Sequence, residues 1–197
     1  MNYSRLALAI FALAALLAPV RGNGIDAPLA LPAVGATELR ILSPDVLELA
    51  LISTKEPPPA RVAQWNFVAA NFQYLLPAAT KFVVTADQLP VLVQSVGFRR
   101  RPIYAGYGKR DLRIGNYLYL KLLTPLAAGQ SVRVLNPDGT LWDASASFSA
   151  TLEEHRFSPA IHVNQQGYVP AFPKKAMVGY FLGTLGELDI PASAGFK

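Results

Sequence analysis

The sequence predicts an all-β fold, an antiparallel immunoglobulin-like β-sandwich, from three observations. Short runs alternate at the two-residue period of a strand. In VLELALIS, Leu47, Leu49 and Leu51 share one face. In NYLYLKLL, Leu118, Leu120 and Leu122 point one way and Tyr117, Tyr119 and Lys121 the other. Turn signals separate these runs, and no convincing run of helices interrupts them. Seven or more short strands in this arrangement make a sandwich of roughly 100 residues.

The strands run in order from Thr37. TELRIL and VLELALIS flank the turn signal Ser43-Pro44-Asp45. KEPPPAR then breaks the pattern, because proline donates nothing to a strand ladder. VAQWNFVAANFQYLL, residues 62–76, reads as a helix or as two short strands around Ala70-Asn71; Trp65, Phe67, Phe72 and Tyr74 favour strands. TKFVVT and PVLVQSVGF, joined at Ala86-Asp87-Gln88, form a hairpin or neighbouring strands. RRRPIYAGYGKRDLRIG is the most basic and least regular stretch. Beyond it, Asn136-Pro137-Asp138-Gly139 is a tight hairpin turn whose glycine is free to take positive φ. SASFSATL is a further alternating strand, and the sandwich spans 37–154.

The flanks differ in kind. MNYSR and the apolar run Leu6–Ala18 have the layout of a secretory signal peptide, cleaved near Gly22; an uncleaved membrane anchor is the alternative. The run is short of the roughly 20 residues that span a bilayer, so no stable membrane insertion is expected after cleavage, and the protein is expected to be secreted or periplasmic. Residues 23–36, rich in Ala, Pro, Leu and Gly, read as a linker. Cleavage removes Arg5 and Arg21, so the formal charge falls from 18 − 13 = +5 to 16 − 13 = +3. That excess is a poor argument for nucleic acid. With no cysteine in the chain, disulfides, thiolate metal sites and cysteine nucleophiles are excluded, and packing must supply the stability.

Catalytic candidates are few. Sugar hydrolysis needs two carboxylates about 5 to 10 Å apart, whereas Glu153 and Glu154 are adjacent and face opposite ways in a strand. Turn chemistry explains Asp138, and Asp143 reads as a solvated side chain. His155 and His162, the only histidines, straddle a Ser-Pro break and read as surface or interface residues, so no metal and no cofactor is expected. Gly106-Tyr107-Gly108-Lys109-Arg110 lacks phosphate-loop spacing. Arg99, Arg100, Arg101, Lys109, Arg110 and Arg113 form a basic stretch that is a solvated or salt-bridged loop or a contact for an anion or a partner, with Asp111 available as an internal partner. Aromatic rings carry the one binding flavour, because sugars stack on flat aromatic faces. Tyr117, Tyr119 and Trp142 are the carbohydrate-contact candidates, with Tyr104 and Tyr107 nearby in sequence; the plainer reading is that the rings cover the sandwich edge or pack against a neighbouring domain.

Past a connection at 155–160, the stretch IHVNQQGYVPAFPKKAMVGYF begins something new. Asn164, Gln165, Gly167, Tyr168 and Pro170, with Lys174 or Lys175 and an apolar strand over 176–181 after them, resemble the opening of the immunoglobulin-like domain that precedes the catalytic domain in glycoside hydrolase family nine, the cellulase and endoglucanase class. The roles of these residues are architectural: Gly167 allows a sharp turn, Tyr168 buries its ring with its hydroxyl paired at a corner, and Asn164 and Gln165 bond backbone or a partner domain. The resemblance covers about forty residues. It implies that 161–197 is the start of a second, incomplete immunoglobulin-like sandwich. The sandwich before it resembles the extra N-terminal module that some bacterial members carry, on RDLRIGNYLYL and NPDGTLW.

The expected function is therefore a non-catalytic accessory region of a secreted polysaccharide-degrading hydrolase, bracing a downstream catalytic domain of the same chain or positioning its polysaccharide substrate. No family catalytic residue can be carried over. The alternatives are a stand-alone carbohydrate-binding module and an exported interaction or assembly protein. The unfinished sheet also predicts poor order or aggregation over 161–197, because open edges are exposed.

Overall fold

The computed structural model describes residues 32–55, 65–103, 111–164 and 167–191. The expected signal peptide, most of the linker, Tyr104, Tyr107, Gly106, Gly108, Lys109, Arg110 and Gln165 lie outside them. Among the described residues there are ten β-strands, two short 3₁₀ turns and no α-helix.

Two four-stranded antiparallel sheets face each other. The first has the order β1 (Thr37–Ser43), β2 (Val46–Thr54), β6 (Arg113–Leu122), β5 (Val93–Pro102). The second has the order β4 (Leu89–Val91), β3 (Val83–Ala86), β7 (Ser131–Leu135), β8 (Ser147–Thr151). The all-β antiparallel sandwich expected from the sequence is what the chain forms. Between the sheets, Leu47, Leu49 and Leu51 meet Leu118, Leu120 and Leu122 from one side and Val84, Val132, Val134 and Phe148 from the other. These are the two leucine triplets whose alternation is visible in the sequence, and alternation places all six on one face because successive side chains of a strand point oppositely.

Local chemistry explains the turns. Asp87 and Gln88 both have positive φ, 47° and 70°, which makes the β3–β4 link the two-residue primed turn that suits strand twist. The apolar run PVLVQSVGF divides at Leu92: β4 pairs with β3, while β5 pairs with β6 in the opposite sheet. Pro90 is tolerated because β4 is an edge strand. Residues 65–76 form an irregular loop closed by a single Val68–Tyr74 bridge, neither the helix nor the two short strands that the segment 62–76 offered. Asn136–Gly139 is a tight turn with Gly139 at φ 65°, but it opens an eleven-residue connection between β7 and β8 instead of joining them directly.

Beyond the sandwich, β9 (Ile161–His162) and β10 (Met177–Val178) pair as a short ribbon. The strand expected over 176–181 is confined to two residues. The chain then turns back onto the first sheet: Leu182 and Leu188 are buried, at 4% and 8% exposure, in a second apolar cluster with Leu42, Val46, Ala50, Tyr117 and Tyr119. The first sheet is therefore covered on both faces, and eight of the nine residues of β2 are buried. The tail divides accordingly. Residues 161–178 are exposed wherever they are described, whereas Tyr180, Leu182, Leu185, Leu188 and Ile190 pack against the sandwich.

Candidate functional site

The outer face of the first sheet carries a row of four residues paired strand to strand, Arg40 on β1, Glu48 on β2, Tyr119 on β6 and Gly97 on β5. Two of them, Arg40 and Glu48, have no place in an apolar cluster by residue type. Glu48 has no exposed surface, although it lies mid-strand between two paired neighbours. A buried carboxylate is costly unless donors surround it. Arg40 Nη1 donates to Glu48 Oε1 at 3.2 Å and Tyr180 Oη donates to Oε2 at 2.6 Å. The burial pushes the ionisation of Tyr119 and Tyr180 upward, and the neighbouring Glu48 charge pushes it further, so both stay neutral.

Residues 180–190 form a flap over this row. Two short arms are closed by Leu182 N–H donating to the Gly186 carbonyl and Leu188 N–H to the Tyr180 carbonyl, both at 2.7 Å, with a 3₁₀ turn at Gly183–Leu185 as the tip. One arm brings Tyr180 down on Glu48. The tip sits on Gly97, where a Cβ would stand 2.5 Å from Leu185 Cγ, so the glycine in the row is the seat of a leucine. The flap also covers the free edge of β5. Phe98 N–H donates to Thr184 Oγ1 at 3.0 Å, and Arg99 Nη1 donates to the Phe181 carbonyl at 3.1 Å. An edge strand thereby gains partners for groups that would otherwise invite another chain.

The rings expected to form a carbohydrate platform are packed instead of presented. Tyr117 and Tyr119 do share a face, but at 4% and 0% exposure they lie under the flap. Trp142 is on the far side of the first sheet, between the layers, with ring centroids 4.9 Å from Phe148 and 6.0 Å from Phe82. The plainer reading had the rings at the sandwich edge or against a neighbouring domain, whereas Tyr117 and Tyr119 are covered by this chain's own flap and Trp142 lies between the sheets. No pattern in the sequence shows that the covering piece lies within the same chain, beyond residue 180.

The described motif residues make contacts within their own loop. Gly167 takes φ 91° and its N–H donates to the Asn164 carbonyl at 3.1 Å. Tyr168 Oη accepts from Asn164 N–H at 3.1 Å and donates to the Lys175 carbonyl, which closes the loop between β9 and β10. Its ring, expected to be buried, is 37% exposed, because a two-stranded ribbon is too narrow to cover it. Lys174 Nζ donates to the carbonyl of Pro170. Around this loop Val163, Val169, Phe172 and Met177 are all more than half exposed.

The described arginines of the basic stretch lie on strands where a loop was expected, Arg113 at the start of β6. Arg99, Arg100 and Arg101 lie on β5. Arg100 reaches Asn116 Oδ1 at 2.7 Å and the Trp65 carbonyl at 2.7 Å, and Arg101 lies over the Tyr117 ring at 5.4 Å. Arg113 is paired with Asp111. His155 and His162 are exposed, and His162 Nε2 is 3.0 Å from the Gly179 carbonyl. Among the described residues, no group of three or more His, Cys, Asp and Glu could hold a metal ion, and no helix is long and apolar enough to cross a membrane.

One polar groove of about 450 Å³ runs between the edge strands β1 and β8, lined by Thr37, Glu38, Ser147, Ser149, Thr151, Glu153, His155 and Arg156. Arg156 closes its end by donating Nε–H to the Ile41 carbonyl at 2.8 Å. Comparisons with protein-family models, with curated proteins and with solved structures give no match.

Proposed function

We propose that this chain is a non-catalytic accessory region of a secreted, polysaccharide-degrading glycoside hydrolase, whose work is to brace the domain that the Asn164–Pro170 motif opens. The observation that carries the reading is the flap. The chain past the motif returns to the sandwich, buries Leu182 and Leu188 and packs the half-buried Tyr180 against its sheet, so the two parts meet through packed side chains instead of a loose linker. Two features support it further. The apolar residues exposed around the ribbon are what the first strands of an unfinished sandwich would present. The strand orders 1-2-6-5 and 4-3-7-8 correspond to the ABED and CFG sheets of an immunoglobulin sandwich with one strand added beside C.

The test is to read the DNA downstream of codon 197 and to express any continuous frame. A large helical catalytic domain whose melting temperature falls when residues 37–160 are deleted supports bracing. A frame that encodes no such domain sinks the hydrolase reading.

A second reading is a stand-alone carbohydrate-binding module. The groove between β1 and β8 favours it, because its hydroxyls and carboxylates suit a polyol. Affinity electrophoresis on cellulose, xylan and chitosan decides this, and migration unchanged on all three removes it.

A further inference from the structure

We propose that the flap, residues 180–190, opens and closes on the sandwich as a unit, and that Glu48 is the positioning residue that fixes its register by requiring a hydroxyl at position 180. The inference stands whether or not the chain serves a hydrolase.

Glu48 is fixed in place. Its backbone is paired on both sides, so the strand cannot shift to bring the carboxylate to water. Of its two side-chain donors among the described residues, one, Arg40, comes from the sandwich. The other is Tyr180 Oη, on the flap. A slip of the flap by one residue would replace Tyr180 with a neighbour, Gly179 or Phe181, that has no side-chain donor. It would also lift Leu185 from the hollow above Gly97, because those two contacts lie on the same cross-strand row. One polar key and one shape key therefore specify a single seating, the role for which buried polar groups are best attested.

The flap is also built to move separately. Its arms are joined by two bonds, Leu182 N–H to the Gly186 carbonyl and Leu188 N–H to the Tyr180 carbonyl, and a ribbon that short does not hold away from the sandwich, so lifting opens its amides to water. It is bonded to the sandwich from Tyr180 to Glu48, from Phe98 to Thr184 and from Arg99 to Phe181, and none of these bonds continues a strand ladder of the first sheet. Such a unit opens below the global unfolding free energy, whereas β6, central in its sheet, opens only with the whole domain.

Hydrogen exchange on the full chain tests this, by comparing amides of 182–188 with those of 117–121 in β6. In the parent protein the flap exchanges faster than β6. Tyr180→Phe leaves the carboxylate one donor short and accelerates the flap amides by roughly ten- to a hundred-fold with β6 unchanged. Glu48→Gln in that background recovers part of the loss, because a neutral amide tolerates the missing donor better than a carboxylate does. Equal acceleration of flap and β6, or no acceleration of the flap, overturns the proposal; so does a double variant as fast as Tyr180→Phe alone. Should Tyr180→Phe not fold, Thr184→Ala, which removes the acceptor of Phe98 N–H, is read by the same comparison of flap with β6.

Discussion

Gly183 and Phe98 touch backbone to backbone. A Cβ on Gly183 would overlap the Phe98 carbonyl oxygen and stand 2.7 Å from its carbonyl carbon, and Gly183 also holds φ 63°. The neighbour is a strand of the first sheet, which cannot yield as a flexible side chain would. Gly183→Ala therefore meets both a clash and a left-handed backbone, and the second alone costs about 1–2 kcal/mol. The expected result is a displaced flap. Limited proteolysis should cut Gly183→Ala after Phe181 or Leu182 at protease levels that leave the parent intact, while the β-sheet circular dichroism signal of the sandwich persists.

A second prediction concerns Asn116, which is fully buried on the core side of β6. Its amide donates to the Leu51 carbonyl at 3.1 Å and to Ser53 Oγ at 2.8 Å, and its oxygen accepts from Arg100 Nε at 2.7 Å. This one side chain ties β2, β6 and β5 together. Asn116→Ala removes every bond and leaves Arg100 without its buried acceptor. A loss of about 3 kcal/mol is expected, read as a lower urea midpoint with an unchanged denaturant slope.

The sequence made part of this legible, and the division has a physical cause. Alternation is a local property, so Leu47, Leu49, Leu51, Leu118, Leu120 and Leu122 announced the inner face. It says nothing of what lies on the other face. Tyr117 and Tyr119 suit water, sugar or protein equally, because a tyrosine has an apolar body and a polar tip. Their cover comes from residue 180 onward, and no local pattern links the two. The arginines of β5 misled for a related reason. Three consecutive charges read as loop, yet their stems lie along strand, with Arg100 over the Phe98 ring and Arg101 over the Tyr117 ring. Glu48 alone hinted at the site, as a charge in the middle of an otherwise apolar strand.

Acid should weaken the connection after β7. The Lys81 ammonium, with Thr140 and Asn136 beside it, holds the Asp138 carboxyl well below the usual carboxylate range. Bonding to Arg113 holds Asp111 at about 2 in the same way. A depressed folded pKa contributes stability that is present above the unfolded value of about 3.9 and is lost as pH falls through the folded value. The melting temperature should therefore be flat from neutral pH to about 5 and fall below about 4. Asp138→Asn should melt lower than the parent near neutrality, and the gap should narrow as pH falls below about 4. The pair is exposed, so the gap is modest. A gap that widens on acidification would contradict the assignment.

Tyr119 and Tyr180 face the same carboxylate and should respond oppositely to loss of a hydroxyl. Tyr180 Oη is bonded to Glu48, whereas Tyr119 Oη is buried with no hydrogen-bond partner among the described residues. Removing a bonded hydroxyl strands its acceptor. Removing an unbonded one deletes a desolvated polar group and leaves the ring packing, here 6.5 Å from the Tyr180 ring, in place. Tyr119→Phe should thus leave stability unchanged or raise it by up to about 1 kcal/mol, while Tyr180→Phe lowers it. Paired urea titrations of the two variants measure the difference. A Tyr119→Phe protein that loses as much as Tyr180→Phe would mean that both hydroxyls serve Glu48, and that the carboxylate is held from β6 as well as from the flap.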